Sequence, residues 1–203
     1  QSERFDLYKK LKSVDNTLSL KALMLAQEIH EVKKDSERIY AGLSKIITIE
    51  RSDTYALSDL LRFITKSNAR YSEYLQKDIH FEVIFNEDFE TKEHILLLAM
   101  LNNIVANAIE VIETKGFIKL EVTTTPNVIT FTIENNGPCI PENVLPVIFD
   151  PGYTTKFNEN GIASTGIGLS HVQTIAYRLE GTITVSSNET TIFTITIPTY
   201  KLR

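Results

Sequence analysis

Two asparagines, Asn103 and Asn107, stand four residues apart in a helical run, which puts both side chains on one helix face. A neutral amide oxygen suits a hard cation, and Mg2+ takes oxygen ligands while usually keeping phosphate and water among them. Downstream, Gly166-Ile167-Gly168-Leu169 opens a second helical run. Glycines there can take φ > 0 and let backbone N–H groups approach an anion, and the helix N-terminus that follows favours phosphate. Between the two, Asn135 ends a strand-like run just before Gly137. An amide acceptor at a strand end can take a hydrogen bond from the exocyclic amine of a base, and Thr191, on the last strand, can support the same base. Each feature alone also has an ordinary reading: solvated amides, a glycine-rich helix start, a turn asparagine, a β-branched strand residue. Together, in this order, they describe one nucleotide pocket. It is not a P-loop, because no Gly-Lys-Ser/Thr occurs, nor a dinucleotide fingerprint, because no strand immediately precedes Gly166.

A second kind of chemistry sits near the start of the chain. Of the four histidines, His80, His94 and His171 read as solvated or capping side chains. His30 stands apart, because Glu31 follows it and because it flanks a long apolar helix seam. A nucleophilic imidazole needs one free, exposed ring nitrogen. A neighbouring carboxylate can orient the other nitrogen and stabilise the positive charge that develops. With an unperturbed pKa of about 6.5, histidine is largely neutral near pH 7 and needs little activation.

The elements that must position these residues are readable from periodicity. Leu7, Leu11, Val14, Leu18, Ala22, Leu25, Ile29, Val32, Ile39, Leu43 and Ile46 recur at steps of four and three, with Ser36 filling the seam and one extra step of four between Leu18 and Ala22. That is a heptad seam with a stutter. Around the stutter the helix is apolar on nearly every side, which predicts burial from several directions, most simply against a second copy. Arg51-Ser52-Asp53-Thr54 is a polar break and places a boundary between residues 1–50 and 51–203. Beyond it the spacing predicts a helix over 56–75, a strand over 79–85 and a helix over 91–114. Strands follow over 117–124 and 127–134, then a loop-rich stretch, a helix over 166–179, and closing strands over 182–187 and 191–198. The interleaving predicts an α+β chain: a helical segment, then a two-layer sandwich with a mixed sheet and helices over one face.

Composition sets outer limits. The 203 residues suffice for one ordinary domain and a smaller module, and 42% hydrophobic content is that of a globular chain. The net charge of −5 argues against general nucleic-acid binding, which needs a basic face. Residues 1–50 carry 9 basic and 8 acidic side chains, and the remainder 12 and 18. Cys139 is the single cysteine, so no internal disulfide forms, in keeping with a reducing compartment. The longest apolar run, Ile95 to Leu101, has 7 residues, short of the roughly 18 expected of a membrane span. The first residues carry no signal-peptide pattern and open directly into a helical one, the look of a piece of a longer protein.

By these motifs the second part of the chain resembles the GHKL ATP-binding domain of sensor histidine kinases, over roughly residues 57–198. "NNIVANAIE" resembles the N box, "NNGPCIP" the first glycine box, and "VIFDPGYTTK" the phenylalanine box and lid. "STGIGLSHV" resembles the second glycine box, and "TTIFTITIP" the closing strand. The resemblance implies ATP and Mg2+ as cofactors. Asn107 is the implied metal ligand, Asn103 contacts phosphate or metal, Asn135 reads adenine, and Lys156 in the lid approaches the terminal phosphates. Gly166 and Gly168 shape the phosphate cradle, with Thr165, Ile167 and Leu169 beside them, and Gly137, Ile140 and Thr191 complete the implied ATP-binding set.

"IHEVKKD" resembles the H box of a dimerisation helix, which implies His30 as the autophosphorylated residue with Glu31 assisting. It is closer to a less common subgroup, the metabolite-sensing kinases of Gram-positive bacteria that include glutamine sensors. The implied activity is autophosphorylation followed by transfer to an aspartate of a response regulator, the partner protein. The implied setting is the cytoplasmic portion of a bacterial membrane-anchored or cytosolic kinase. It dimerises through the N-terminal helix and meets a membrane only through other segments.

Several positions depart from the family pattern. Asn135 stands where Asp is usual, so a charge-assisted hydrogen bond becomes a neutral one. Cys139 and Ser164 stand where glycine is common, and Glu110 where many kinases have Lys. Lys34 and Asp35 replace an amide or hydroxyl residue and a proline after the histidine. Only 26 residues separate His30 from Leu57, so the first segment is either one helix running into the next domain or a hairpin turning near Val14–Thr17. Two other functions fit parts of the pattern: a serine/threonine kinase of the anti-sigma-factor type, and a dimerisation module with a degenerate nucleotide pocket.

Overall fold

The computed structural model describes residues 54–155 and 166–203, all within the second of the chain's two units, Asp53–Arg203. The heptad seam, His30 and Glu31 lie outside the described residues, as do Lys156 and Thr165.

In chain order the described elements are β1 (Tyr55–Ala56), α1 (Leu57–Tyr74), β2 (Asp78–Phe85), β3 (Glu90–Thr91), α2 (His94–Val111), β4 (Lys115–Thr124), β5 (Val128–Asn135), a short 3-10 turn (Leu145–Val147), α3 (Gly168–Arg178), β6 (Thr182–Ser187), β7 (Thr191–Pro198) and α4 (Thr199–Leu202). Five strands form one sheet in the order β2-β4-β5-β7-β6, and β1 and β3 make a separate two-stranded ladder. β2 pairs with β4 in parallel, while the other neighbours are antiparallel. The expected mixed sheet with helices over one face is the fold observed, a two-layer α/β sandwich.

Alternation in the strands decides which face the helices cover. Ile118, Leu120 and Val122 of β4, Ile129, Phe131 and Ile133 of β5, and Phe193, Ile195 and Ile197 of β7 are buried. The intervening positions of the last three strands are mostly threonine. Thr130 and Thr132 stand opposite Thr196 and Thr194, which in turn face Thr182 and Thr184. Threonine keeps the β-branched shape that strands favour and presents a hydroxyl to the open face; Thr182 and Thr196 hydroxyls bond at 2.6 Å.

α2 is the central helix. Leu97, Met100, Leu101, Ile104, Val105, Ala108 and Ile109 are buried on it, a wide apolar stripe. By length and composition alone it could pass for a membrane span, but its apolar stripe is the core against the sheet, and Asn102, Asn103, Asn107 and Glu110 interrupt it elsewhere. α1 lies against α2. The two are tied by the buried Asn68, whose amide nitrogen donates to the Ile64 carbonyl at 2.9 Å and to Asn102 Oδ1 at 2.8 Å. At the other end of the pair, Lys77 Nζ donates to the carbonyls of Ile109 and Glu110, each at 2.8 Å. Those carbonyls belong to the last turn of α2, where the helix itself offers no partner.

Some element limits differ from those the periodicity predicts, for local reasons. The helix expected over 91–114 begins at His94, because Thr91 is taken into β3 and its hydroxyl accepts the Glu93 N–H at 3.1 Å. It ends at Val111, because Ile112 is already extended. The helix expected from Gly166 begins at Gly168, because Gly166 has φ +59, outside the right-handed helical region.

Candidate functional site

The cleft lies where the C-terminal half of α2, the N-terminus of α3 and the ends of β5 and β7 meet. It encloses about 680 Å3 and is lined by Asn103, Asn107, Asn135, Ile140, Gly166, Ile167, Gly168, Leu169 and Thr191 among others. Nine residues singled out in the sequence therefore come together at one site. Gly137 stands just behind the wall.

The end of the cleft to which the sequence assigns metal and phosphate is built by packing α3 onto α2. Asn103 Nδ2 donates to the Ala99 carbonyl at 2.7 Å, within its own helix, which leaves Oδ1 turned toward α3. A β-carbon built on Gly168 meets Asn103 Oδ1 at 3.4 Å and Asn107 Nδ2 at 3.7 Å. Both amides thus sit against the first residue of α3, at the end where a helix presents N–H groups without intrahelical partners and the positive pole of its dipole. Asn103 presents its amide oxygen at this phosphate-favouring helix end and Asn107 its amide nitrogen; each side chain carries one amide oxygen, the donor type that suits Mg2+, which completes its shell with phosphate and water. Among the described residues no cluster of His, Cys, Asp and Glu gathers that could hold a metal by itself.

Gly166 makes the turn before α3 possible. Its φ is +59, and an added β-carbon falls 2.5 Å from the Gly152 carbonyl carbon and 2.6 Å from the Tyr153 carbonyl oxygen. Gly152, itself at φ +84, donates its N–H to the Gly166 carbonyl at 3.1 Å. The two glycines clasp one another across the cleft mouth. Gly166→Ala is expected to weaken ATP binding by at least about tenfold, because backbone on both sides must move and left-handed φ adds about 1–2 kcal/mol. Isothermal titration with ATP checks this; affinity equal to wild type would show that the clasp does not shape the cleft.

The opposite end is the edge of the sheet. Asn135 and Thr191 are the last and first residues of β5 and β7 and stand opposite one another in register. They are 2% and 3% exposed. Asn135 Oδ1 accepts the Gly137 N–H at 3.0 Å, an Asx turn, and Nδ2 donates to the Thr191 carbonyl at 3.4 Å. Gly137 is confined, since a β-carbon there falls 2.8 Å from Val111 Cγ2 and 2.9 Å from Asn135 Oδ1. The Thr191 hydroxyl meets Ser187 Oγ at 2.7 Å, and Ser187 Oγ accepts the Ile140 N–H at 2.8 Å. The neighbouring Asn136 serves the loop instead, where its Oδ1 accepts the Phe117 N–H at 2.8 Å and ties the loop to β4.

Between the two ends the wall is apolar, formed by Ala108, Val111, Ile140, Val144, Ile148 and Phe193. Of the described lining residues only Glu110 is a carboxylate, and none is Lys or Arg. Glu110 accepts the Tyr71 hydroxyl at 2.9 Å. Burial, helped by the hydrogen bond and charge of Glu110, pushes the Tyr71 phenol up to about 12, so it stays a donor throughout the neutral range.

Sequence reasoning missed Val111, Val144, Ile148, Tyr153 and Phe193 as wall residues. Two carried a signal. Val111 is one more step of four along the Asn103–Asn107 face, and Phe193 lies two residues beyond Thr191 on the same strand face. Ile148 and Tyr153 fall within the "VIFDPGYTTK" stretch, which resembles the phenylalanine box and lid, but were not singled out within it. Cys139 also lines the cleft; its thiol donates to the Asn188 carbonyl.

Residues 92–201 match the family described as histidine kinase-, DNA gyrase B- and HSP90-like ATPases. The sensor histidine kinase GlnK of Bacillus subtilis (strain 168) is 40% identical over 201 residues, which cover 97% of this chain and 49% of that protein. The heme sensor protein HssS of Staphylococcus haemolyticus (strain JCSC1435) is 35% identical over 105 residues, 51% of this chain and 22% of that protein. The chain thus spans about half or less of these relatives. Among solved structures, the catalytic domain of histidine kinase ThkA superposes with a TM-score of 0.60 at 26% identity, covering 71% of this chain and 97% of that one. The fold alone is shared with the Acinetobacter baumannii histidine kinase AdeS, at a TM-score of 0.58 and 18% identity over 96% of this chain and 94% of that one. With the amide pair beside a helix N-terminus and the Asn135–Thr191 strand ends gathered in one cleft, the match over residues 92–201 establishes that this chain belongs to the histidine kinase-, DNA gyrase B- and HSP90-like ATPase family, whose members bind ATP.

Proposed function

We propose that the chain is the dimerisation and catalytic portion of a sensor histidine kinase. Residues 51–203 bind ATP with Mg2+, and residues 1–50 form the helix that pairs two copies and carries the phosphate. The observation that carries this reading is the cleft itself. Asn103 and Asn107 lie against the first residue of α3 at one end, and Asn135 and Thr191 close the other, with an apolar wall between them in a cleft of about 680 Å3. The 40% identity to a sensor histidine kinase extends over 97% of the chain and so beyond the ATPase unit.

In this reading the base enters the apolar slot and its polar edge meets Asn135 and Thr191. The triphosphate runs toward α3. No basic side chain is among the described lining residues, so its charge is met by the helix N-terminus, by Lys156 of the lid and by the metal. Asn107 would hold Mg2+, with Asn103 on the phosphates or the metal, and the metal would supply charge neutralisation for the triphosphate. The bond between the γ-phosphorus and its bridging oxygen breaks, ADP leaves, and a nitrogen of His30 takes the phosphoryl group. Glu31 steadies the charge that develops on the imidazole. The phosphoryl group then passes to an aspartate of a response regulator. The chain is placed on the cytoplasmic side of a bacterial cell, with signal detection and any membrane anchor in other segments and no role for nucleic acid.

The test is incubation of the full chain with ATP labelled on the γ-phosphate. Phosphate that stays on this protein in alkali and is lost in acid is the expected product. Acid-stable phosphate delivered to a second protein would mark a serine/threonine kinase, and the absence of any transfer would reduce the chain to a binding module.

A further inference from the structure

We infer that this cleft accepts 6-oxopurine nucleoside triphosphates alongside ATP, because Asn135 and Thr191 each present the base with both a donor and an acceptor. The inference rests on the proposed reading of the cleft as a nucleotide site and concerns which purines it admits.

The orientation of the Asn135 amide is set by backbone, not by the ligand. Its oxygen accepts the Gly137 N–H at 3.0 Å and its nitrogen donates, over a longer 3.4 Å, to the Thr191 carbonyl. Turning the amide over would set N–H against N–H and oxygen against oxygen in a side chain only 2% exposed, and unsatisfied buried groups are costly. In the observed orientation each amide atom spends half its capacity. The oxygen keeps one lone pair and the nitrogen keeps one N–H.

The polar edge of adenine offers an amino donor at C6 and an acceptor at N1. The edge of hypoxanthine or guanine offers a carbonyl acceptor at C6 and an N–H donor at N1. An amide with a donor and an acceptor can satisfy either edge. The Thr191 hydroxyl adds a second adaptable group. It shares a 2.7 Å hydrogen bond with Ser187 in which either oxygen can be the donor, so it can rotate to accept from an amine or to donate to a carbonyl.

Strong discrimination requires a group that one ligand satisfies and the other leaves unpaired in a dry place. An acceptor-only carboxylate at position 135 would do that to O6 of a 6-oxopurine. The described part of this cleft holds one carboxylate, Glu110, on the helix wall and hydrogen-bonded to Tyr71. The apolar side chains around the base position, Ala108, Val111 and Ile140 among them, have no polar preference and let the ring shift to align either edge.

The experiment is competition on the full 203-residue chain, with Mg2+, of unlabelled ATP and inosine triphosphate against a fluorescent ATP analogue. Inosine triphosphate changes only the C6 and N1 edge, without the 2-amino group of GTP. It is expected to displace the probe within about thirtyfold of the ATP concentration, far from the 10^4–10^5-fold that an unpaired polar edge produces. A larger gap in the wild-type chain overturns the inference, and needs no variant to read. Asn135→Asp supplies the second arm: it is expected to widen the preference for ATP by at least about 100-fold. A folded variant with an unchanged ratio would overturn the role given to the amide. If ATP itself fails to displace the probe, the nucleotide reading of the cleft falls and the inference with it, a result distinct from a chain that binds ATP and rejects inosine triphosphate.

Discussion

Replacing His30 by Gln is expected to abolish autophosphorylation and to leave ATP affinity within about twofold of wild type, because the described lining of the cleft does not include it and substitutions without shared partners act nearly independently. The imidazole offers a ring nitrogen with an in-plane lone pair that attacks phosphorus. The amide nitrogen of Gln has its lone pair delocalised into the carbonyl and does not attack. Removing a nucleophile costs at least about 10^4-fold in turnover, so transfer in the variant falls below detection. The described lining of the cleft consists of residues after position 100, so ATP binding is expected to survive. Acid-labile phosphate on the His30→Gln chain would show that another residue is the acceptor. The four histidines make the alternatives few: His80, His94 and His171 are tested by the same substitution.

Asn107→Ala is expected to lower Mg2+-dependent phosphotransfer by at least about 100-fold, more than a residue that merely supports a metal ligand costs. The side chain lines the cleft, with its amide close to the start of α3. Truncation would remove the proposed cation ligand without opening a hole in the apolar core, since Asn107 is only partly buried, so the fold is expected to be retained. Transfer measured over a range of Mg2+ concentrations separates the roles. A ligand loss raises the Mg2+ requirement as well as slowing turnover, whereas a packing defect lowers activity evenly at every concentration. Unchanged transfer at limiting Mg2+ would remove Asn107 from the metal site.

The fold was legible wherever one face of an element is buried and the other is not. The alternation of Ile129, Phe131 and Ile133 with threonines marks β5, and the same pattern in β7 gives limits that agree with the structure to within a residue. Pairing was less legible. Nothing in the alternation of β2 says that its neighbour is β4 or that the two run parallel, because periodicity fixes a strand's faces and leaves its partner open. The ladder of β1 and β3 has two residues per strand, too short for any period to register. In the site, the residues with a chemical identity were visible: the amides, the glycines and Thr191. The apolar wall was less so: Ile148 lay inside a motif without being singled out, and Val144 looks like any other loop hydrophobic until the chain folds back. Asn135 turned out to serve two ends at once, closing an Asx turn and lining the cleft.

The position of Asn135 and Thr191 also bears on how the domain assembles. The hairpin of β4 and β5 turns through residues 125–127, and that of β6 and β7 through residues 188–190, so both close early and locally. The seam joining them, β5 against β7, brings together residues 56 apart in the chain, a loop closure that is slow because its entropy is lost before its contacts form. Asn135 and Thr191, the groups proposed to meet the base, face one another across that seam, so this end of the cleft forms only when β5 and β7 pair. A nucleotide bound in the proposed way would bridge that non-local joint. Bound at about 100 times its dissociation constant it would add about 2.7 kcal/mol to the stability of the native state, in which the two hairpins are joined.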